Sequence, residues 1–447
     1  MGTRPGLAHR RSRRSTASEA RLRTLGDRIP KMSDDVLRSI VAENAPRVRR
    51  YAIGALVAVV LMLIGVLVGV QWFRPVPSPV FRSAVSTSVR LPGSPPVLPW
   101  PTTGSSALSV EGAGSLGHKR STDPVPIASV TKVMTAYVVL RDHPLASGAA
   151  GPAIPVTAAT MAAYQTGLAT QQSVVRVAAG ETLTELEALE GLLVASGNDM
   201  ATLLADWDAS STPAFVAKMN STARSLGLDS TRFDDPSGLD PGSVSTAADL
   251  IRLGEAAMAI PAFDRIVAMG EVILPLAGLI YNFDSDLGQN GMVGIKTGSD
   301  SAAGGCFLFE AQKTVDDSNV TLVGAVLGQE TVSPITAALD AADVLVTAAF
   351  AAVGEFAPVP PGSPVGRIVA SWGSSVPVMA PKSPTVVGWA GLAVAVQVHV
   401  GALPPAISSG TRIGVLEVHL GGQRIDVVLR ASRRRPGPSA IWRLTRL

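Results

Sequence analysis

Tyr51 to Phe73 form a run of 23 residues in which Gln71 is the only strongly polar side chain. At about 1.5 Å of rise per residue, such a run is long enough to cross a bilayer core as a helix. It shows no polar stripe of the kind a buried core helix presents, so we read it as a transmembrane helix. Residues 1–50 carry thirteen Arg/Lys and five Asp/Glu, a net of +8, and Arg47, Arg49 and Arg50 abut the run. The positive-inside rule then keeps this basic leader, expected to be disordered, in the cytoplasm. Everything after Phe73 is sent across the plasma membrane. The leader is too long for a signal peptide, and no small-x-small site follows the run, so the expectation is an uncleaved single-pass anchor. The overall charge of +3 averages this leader with a balanced exterior, and gives no reason to expect a nucleic-acid partner. Contact of the leader with anionic lipid is the simpler reading.

Beyond the anchor, composition marks out domains. Residues 74–103 hold eight prolines among Ser and Thr and read as an extended spacer. Ordered structure is expected from 104 to 357. Ala107–Val110 and Ser115–His118 read as short strands. Ser129 opens an apolar helix reaching about Leu140. Thr184 caps a helix that aligns Leu186, Leu189, Leu192 and Leu193 on one face. Another helix starts at Pro213 and stops at Gly227, and Thr246 with Asp249 suggests a further capping box. The pattern then turns to strands at 292–297, 305–311 and 320–327, and an Ala-rich helix over 335–353 closes the unit. Strands first and last with helices between imply an α/β sandwich, an antiparallel sheet with an inserted helical region. Residues 358–364 read as a second linker. Residues 365–430 read as a small all-β domain, with Gly421-Gly422 as a hairpin turn and His399 and His419 on solvated strand faces. Residues 431–447 read as a basic tail, a solvated charge run.

Cys306 is the single cysteine, so no internal disulfide forms; its apolar neighbours suggest a buried, inert thiol. The five histidines are scattered, with no ligand spacing for zinc, and no metal or cofactor is expected.

Three short motifs carry the chemistry. In Ser129-Val130-Thr131-Lys132, residues i and i+3 share a helix face, so the Lys132 amine reaches the Ser129 oxygen. A lysine serves as base only when burial or a nearby positive charge lowers its pKa. Position in the first helical turn, and Lys296 if it folds close by, push the same way. Ser196-Gly197-Asn198 follows 67 residues later, where a hydroxyl can relay a proton and a carboxamide can orient an amide. Lys296-Thr297-Gly298 lies 100 residues further on, at a strand end. Lys296 and Thr297 there suit an anionic substrate terminus, and Gly298 leaves room for a substrate to pair with the strand edge. Backbone N–H groups of Ser129 and Ser299 are natural oxyanion donors. Each motif alone is common as a cap or turn; the three in this order are specific. Lysine is also rare here, with seven in the chain, and two of them sit where arginine could not release its proton.

The set Ser-x-x-Lys, Ser-x-Asn, Lys-Thr-Gly is the signature of penicillin-binding proteins and, in variant form, of class A β-lactamases. The chain resembles the low-molecular-mass penicillin-binding proteins that are serine-type D-alanyl-D-alanine carboxypeptidases. The resemblance rests on Ile127–Ala136, Ser196–Asp199, Asp235-Pro236-Ser237-Gly238-Leu239 and Gly294–Gly298, and covers about Ala107 to Val353. A weaker match, Pro404 through Val418, resembles the β-rich C-terminal domain of these enzymes. The resemblance implies a penicillin-binding/β-lactamase-like fold and a peptidoglycan stem peptide as substrate, with β-lactams as trapping acylators. It also implies roles. Ser129 is the nucleophile and Lys132 its base, although either lysine can fill the latter role. Ser196 and Lys296 relay a proton to the leaving D-alanine, and Asn198 orients the substrate. Thr297 and Lys296 receive the terminal carboxylate.

Two departures stand out. Residues 280–287 lack the basic residue some relatives offer the substrate carboxylate, and residues 163–176 form a long polar stretch. Three rival readings follow. A β-lactamase would need a Glu-x-x-Leu-Asn stretch between the second and third motifs, and none occurs. A D-alanyl endopeptidase would use the same residues. A degenerate wall-binding scaffold would not need complete motifs.

Overall fold

The computed structural model describes residues 34–120 and 122–446. The chain divides into two units, Met1–Val76 with Pro438–Leu447, and Pro77–Gly437. In the first, helix α1 runs Asp34–Phe73. Its stretch Pro46–Phe73 has a mean hydropathy of 3.0 and no buried residue, and is long and apolar enough to cross a membrane. Residues 34–50 of the basic leader, expected to be disordered, belong to this helix; residues 1–33 lie outside the described ones. The basic tail is likewise more than a solvated run. A short helix, Ala440–Thr445, packs on the end of α1. There Gln71 Nε2 donates to the Arg446 carbonyl at 2.7 Å and Arg443 stacks 5.7 Å over the Trp72 ring.

The second unit is built on a five-stranded antiparallel sheet. Its spatial order is Met292–Asp300, Gly304–Val315, Ser318–Gln329, Ser105–Val110 and Gly114–Lys119. Alternate residues of the central strands serve opposite faces, as a pleated strand requires. Cys306, Leu308 and Ala325 join one core; Phe307, Phe309 and Val326 join the other. The helices over the first face are α2 (Lys132–Asp142), α3 (Ala158–Ala169), α4 (Glu185–Leu193), α5 (Asn198–Ala209), α6 (Thr212–Ser225), α7 (Ala247–Met258) and α8 (Pro261–Val267). Helix α9 (Pro334–Ala352) covers the second. Thr184 and Glu187 complete a capping box and Gly227 ends α6 at φ +69°, but only half of the box expected at Thr246 forms: its hydroxyl accepts from Asp249 N, while the Asp249 carboxylate accepts from Ser230 N and Thr231 Oγ1. One shift is local. Ser129 sits in a 3₁₀ turn, Ala128–Thr131, and the α-helix begins only at Lys132.

A seven-stranded antiparallel sheet forms the C-terminal part: Val80–Ser83, Pro364–Ala370, Gly373–Met379, Gln423–Ala431, Arg412–Leu420, Ala393–Val400 and Ser88–Arg90. Both of its edge strands come from the segment read as a spacer. The prolines there lie outside a proline-free stretch at 80–91, and edge positions are those where proline-flanked strands are tolerated. Nor does the linker at 358–364 separate two cores. Val353–Phe356 pairs with Val386–Trp389 across it, and Leu339 and Leu345 of α9 share one apolar cluster with Val365, Leu416 and Val418. Arg435 belongs to this unit as well: it is buried, bonds Ile407 through its backbone, and stacks over Trp372.

Candidate active site

The 3₁₀ turn that carries Ser129 is itself strained. Ala128 adopts φ +44°, in the left-handed region that a β-carbon disfavours, and such strain persists only where surroundings impose it. Gly238 is part of that surrounding. A Cβ there would lie 1.8 Å from the Ala128 carbonyl oxygen, and its φ is +83°. Ser129 alone in the turn remains partly open, while Ala128, Val130 and Thr131 are buried. One helical turn on, Lys132 is fully buried, with Nζ 2.7 Å from Ser129 Oγ and 2.8 Å from the Ser237 carbonyl oxygen. That carbonyl is held by the loop Asp235–Leu239. The Asp235 carboxylate accepts from the backbone N–H groups of Ser237, Gly238 and Leu239 and from the Ser243 hydroxyl. Thr135 Oγ1 ties the same loop to α2 through the Pro236 carbonyl at 2.6 Å.

Ser196 occupies the connection between α4 and α5 at φ +60° and is almost fully buried. Asn198 opens α5, and its side chain does not point freely into the cleft: Nδ2 donates to Gln172 Oε1 at 2.9 Å. Its backbone N–H donates to Ser173 O at 2.9 Å, and the Asp199 carboxylate accepts from Val175 N at 3.0 Å. The polar stretch 163–176 is therefore half helix, the end of α3, and half a segment fastened to the second motif. Among the described residues no hydrogen bond joins Ser196 to either lysine.

The third motif lies on Met292–Asp300, the edge strand of the five-stranded sheet. Lys296 is buried, and its Nζ donates to the Thr297 carbonyl at 3.1 Å. Gly298 has a sharper purpose than an open strand edge. A Cβ there would sit 2.8 Å from Ser129 N and 3.0 Å from Val130 N, so glycine lets the strand close onto the turn that carries Ser129. Ser129, Ser196, Thr297, Gly298 and Ser299 line one narrow cleft of about 50 Å³, joined by Ser173, Phe283 and Ile335. A larger depression of about 230 Å³ is lined by Glu111, Glu255, Asp264 and Glu310 and offers no nucleophile; chemistry rather than size locates the site. Among the described residues no group of three or more His, Cys, Asp or Glu is arranged to hold a metal ion.

Burial sets the electrostatics. It pushes Lys132 well below the ordinary lysine range, and the charge on Lys296 adds to that, opposed by Asp235 and Asp199. Burial also lowers Lys296, to about 7, against the opposing field of Asp284. An amine whose pKa is lowered in this way, in contact with a serine hydroxyl, can accept that hydroxyl's proton and activate the oxygen. Sequence reasoning missed Gln172, Ser173, Phe283, Asp284 and the Ser237 carbonyl as members of this site. The Ser237 carbonyl acts through the backbone, Ser173 and Phe283 line the wall, and Gln172 and Asp284 act through side-chain effects that only the fold brings about, of which residue type alone carries no sign.

Residues 105–331 match the D-alanyl-D-alanine carboxypeptidase family, peptidase S11. A D-alanyl-D-alanine carboxypeptidase of Mycobacterium tuberculosis is 37% identical over 42% of this chain and 62% of its own length. A D-alanyl-D-alanine endopeptidase of Pseudomonas aeruginosa is 32% identical over 49% of this chain and 70% of its own. A match to a carboxypeptidase of Salmonella typhimurium spans 51% of that protein, so the chain covers half to two thirds of the first of these relatives. Among solved structures, the Streptomyces K15 DD-transpeptidase superposes with a TM-score of 0.50 at 26% identity, over 58% of this chain and all of that one. Penicillin-binding protein 5 of Haemophilus influenzae gives a TM-score of 0.53 at 22% identity, over 76% of this chain and 99% of that one, a likeness of fold that reaches beyond the matched family region.

Proposed function

The chain belongs to the D-alanyl-D-alanine carboxypeptidase family, and from that premise we propose that it is a membrane-anchored serine carboxypeptidase. Its reaction removes the terminal D-alanine from peptidoglycan stem peptides, and penicillins acylate it. The observation that carries this reading is the buried Lys132 amine 2.7 Å from the one partly open hydroxyl of its turn, Ser129 Oγ. Neutral Lys132 takes the Ser129 proton as Oγ attacks the carbonyl carbon of the penultimate D-alanine. The oxyanion formed is received by the backbone N–H groups of Ser129 and Ser299. The close approach that Gly298 permits supports that pairing. The proton returns through Lys132 and Ser196 to the leaving amine, the C–N bond breaks, and D-alanine departs. Water then attacks the ester, restores the Ser129 hydroxyl and releases the shortened peptide. Thr297 and charged Lys296 hold the substrate carboxylate, and Asn198, fixed by Gln172, orients the scissile amide.

Opening of a β-lactam ring by the same oxygen gives an ester whose leaving group stays attached. That tethered group stays beside the ester in the narrow cleft and obstructs deacylating water, so the adduct should persist. Helix Pro46–Phe73 is the anchor in this reading, with its basic flank in the cytoplasm and the peptidase outside. An endopeptidase reading is favoured by the Pseudomonas relative, matched over 70% of its length. Incubation with a free pentapeptide and with a cross-linked dimer tests both. Release of D-alanine from the pentapeptide supports the carboxypeptidase, cleavage of the dimer alone supports the endopeptidase, and rapid multiple turnover of a chromogenic cephalosporin contradicts both.

A further inference from the structure

The exposed face of the seven-stranded sheet is polarised. Cross-strand register places Arg82 opposite Arg367, Arg367 opposite Pro377, Met379 opposite Arg430 and Arg430 opposite Arg412. Directly opposed residues share a face, as do residues two apart, so four exposed arginines form one row across five strands. Ile368, Val378 and Leu429 fill the other face and belong to the core. Like charges directly opposite one another are destabilising, and this row contains two such pairs. Arg433 joins it: its Nη2 donates to the Ser375 carbonyl at 2.6 Å, and Arg367 Nη1 donates to the Ser375 hydroxyl at 3.5 Å. Two residues on, Arg435 is 2% exposed, stacks 5.5 Å over the Trp372 ring, and meets no acceptor at Nε, Nη1 or Nη2. A guanidinium keeps its charge at usable pH, and one buried without an anion is costly. Among the described residues, arginine ion pairs are made by Arg141, Arg232, Arg252 and Arg424, and by none of these six. At the far end of the same face the charges are balanced, with Arg424 paired to Glu417 at 2.7 Å beside the Gly421-Gly422 turn.

Both chain connections to α1 leave from the arginine end. Val80, the first residue of its strand, pairs with Val369, next to the turn that carries Trp372. Ser432 N donates to the Pro377 carbonyl where the chain runs out toward Arg435. Val80 comes seven residues after Phe73, the last of α1, and Ala440, the first of the tail helix that packs on α1, comes five after Arg435. An extended chain spans about 3.5 Å per residue, so seven residues reach at most about 25 Å. We propose that this arginine face is a docking surface for anionic phospholipid headgroups of the leaflet on the peptidase side, which hold the C-terminal sheet against the membrane. The inference goes beyond the catalytic reading and rests on Pro46–Phe73 being the membrane anchor. A bilayer suits the face better than a soluble anion does. Its phosphates form a flat array that matches a row of cations spread over a sheet, and a short tether keeps the row where weak contacts suffice. Trp372, half-buried beside Arg435, has the amphipathic ring that favours the headgroup level.

The test is arginine modification by phenylglyoxal, mapped by peptide mass spectrometry. The full chain is reconstituted in nanodiscs of phosphatidylcholine, alone or mixed equally with anionic phosphatidylglycerol. Arg367, Arg412, Arg430 and Arg433 should react about tenfold more slowly in the anionic discs, since each cation near an anionic surface gains several-fold in binding. Arg424 should react at the same rate in both. Salt at about 1 M, which shortens the Debye length to about 3 Å, should abolish the difference. A variant carrying both Arg367→Gln and Arg433→Gln should melt as wild type does and lose most of the protection at Arg412 and Arg430. Rates independent of lipid charge, or slowed equally at Arg424, would overturn the inference, as would protection that the double variant leaves intact. Stronger protection by soluble polyphosphate in neutral discs than by anionic lipid would assign the face to a soluble polyanion and overturn it too. Retention of the chain in vesicles through an alkaline carbonate wash tests the anchor by itself. Release ends the anchor reading and the inference with it; retention with rates indifferent to lipid charge ends the inference alone.

Discussion

The proposed reaction asks two buried lysines for opposite states. Lys132 must be neutral to accept a proton, and Lys296 must be charged to hold a carboxylate. Acylation by a penicillin should therefore climb as pH rises through the lowered Lys132 pKa, and fall as pH passes about 7 and Lys296 loses its charge. A stopped-flow profile flat over that range would contradict this assignment. Lys132→Arg keeps a cation but removes the base, since guanidinium does not deprotonate at usable pH, and should cost about 10²- to 10⁴-fold in acylation. Cys306 offers a control. Burial pushes its thiol up to about 12, so a thiol reagent should leave the native chain unmodified and react only on unfolding. At this scale the motif residues were legible because their types and order are specific. The segment around Asp235 stood out but the role of its carboxylate, holding the Ser237 backbone, did not, and Gln172 escaped because it acts by holding Asn198.

Elements meet the site at a few points of close approach. Gly298→Ala would put a methyl carbon against the backbone of Ser129 and Val130, and Gly238→Ala would put one against the Ala128 carbonyl at a positive φ. Both should lose penicillin acylation, and the first should do so with little loss of helical circular dichroism; full activity in either would remove the packing account of the turn. Helix α4 begins with the capping box of Thr184, so Thr184→Ala should destabilise by about 1 kcal/mol in a denaturant titration. In its first turn Glu185 is buried with Oε1 unpartnered, and burial raises its carboxyl to about 7. The folded state then holds this proton more tightly than the unfolded one. Its contribution is most favourable below the unfolded carboxylate pKa and diminishes as pH rises through about 7. Glu185→Gln should flatten that part of the melting temperature's pH dependence. Helices were read well because caps and apolar spacing are local signals. The strands Val80–Ser83 and Ser88–Arg90 were not, because their partners lie about three hundred residues away and prolines on both sides masked a short proline-free stretch.

Across the Pro77–Gly437 unit, the peptidase sheet, α9 and the seven-stranded sheet share a continuous apolar cluster. A chain cut after 357 should therefore expose one face of α9 and aggregate or melt earlier, whereas independent domains would leave the shortened enzyme as stable as before. Linker composition at 358–364 suggested separation; the pairing of Val353–Phe356 with Val386–Trp389 shows why composition misleads where strands cross a linker. The acylation predictions all depend on Ser129 as the nucleophile. Mass spectrometry of the intact chain after benzylpenicillin treatment, followed by peptide mapping, tests that claim most directly. The account expects one added penicilloyl group, located on the peptide containing Ser129 and absent from Ser129→Ala; an unmodified wild type, or an adduct that survives in Ser129→Ala, would contradict it.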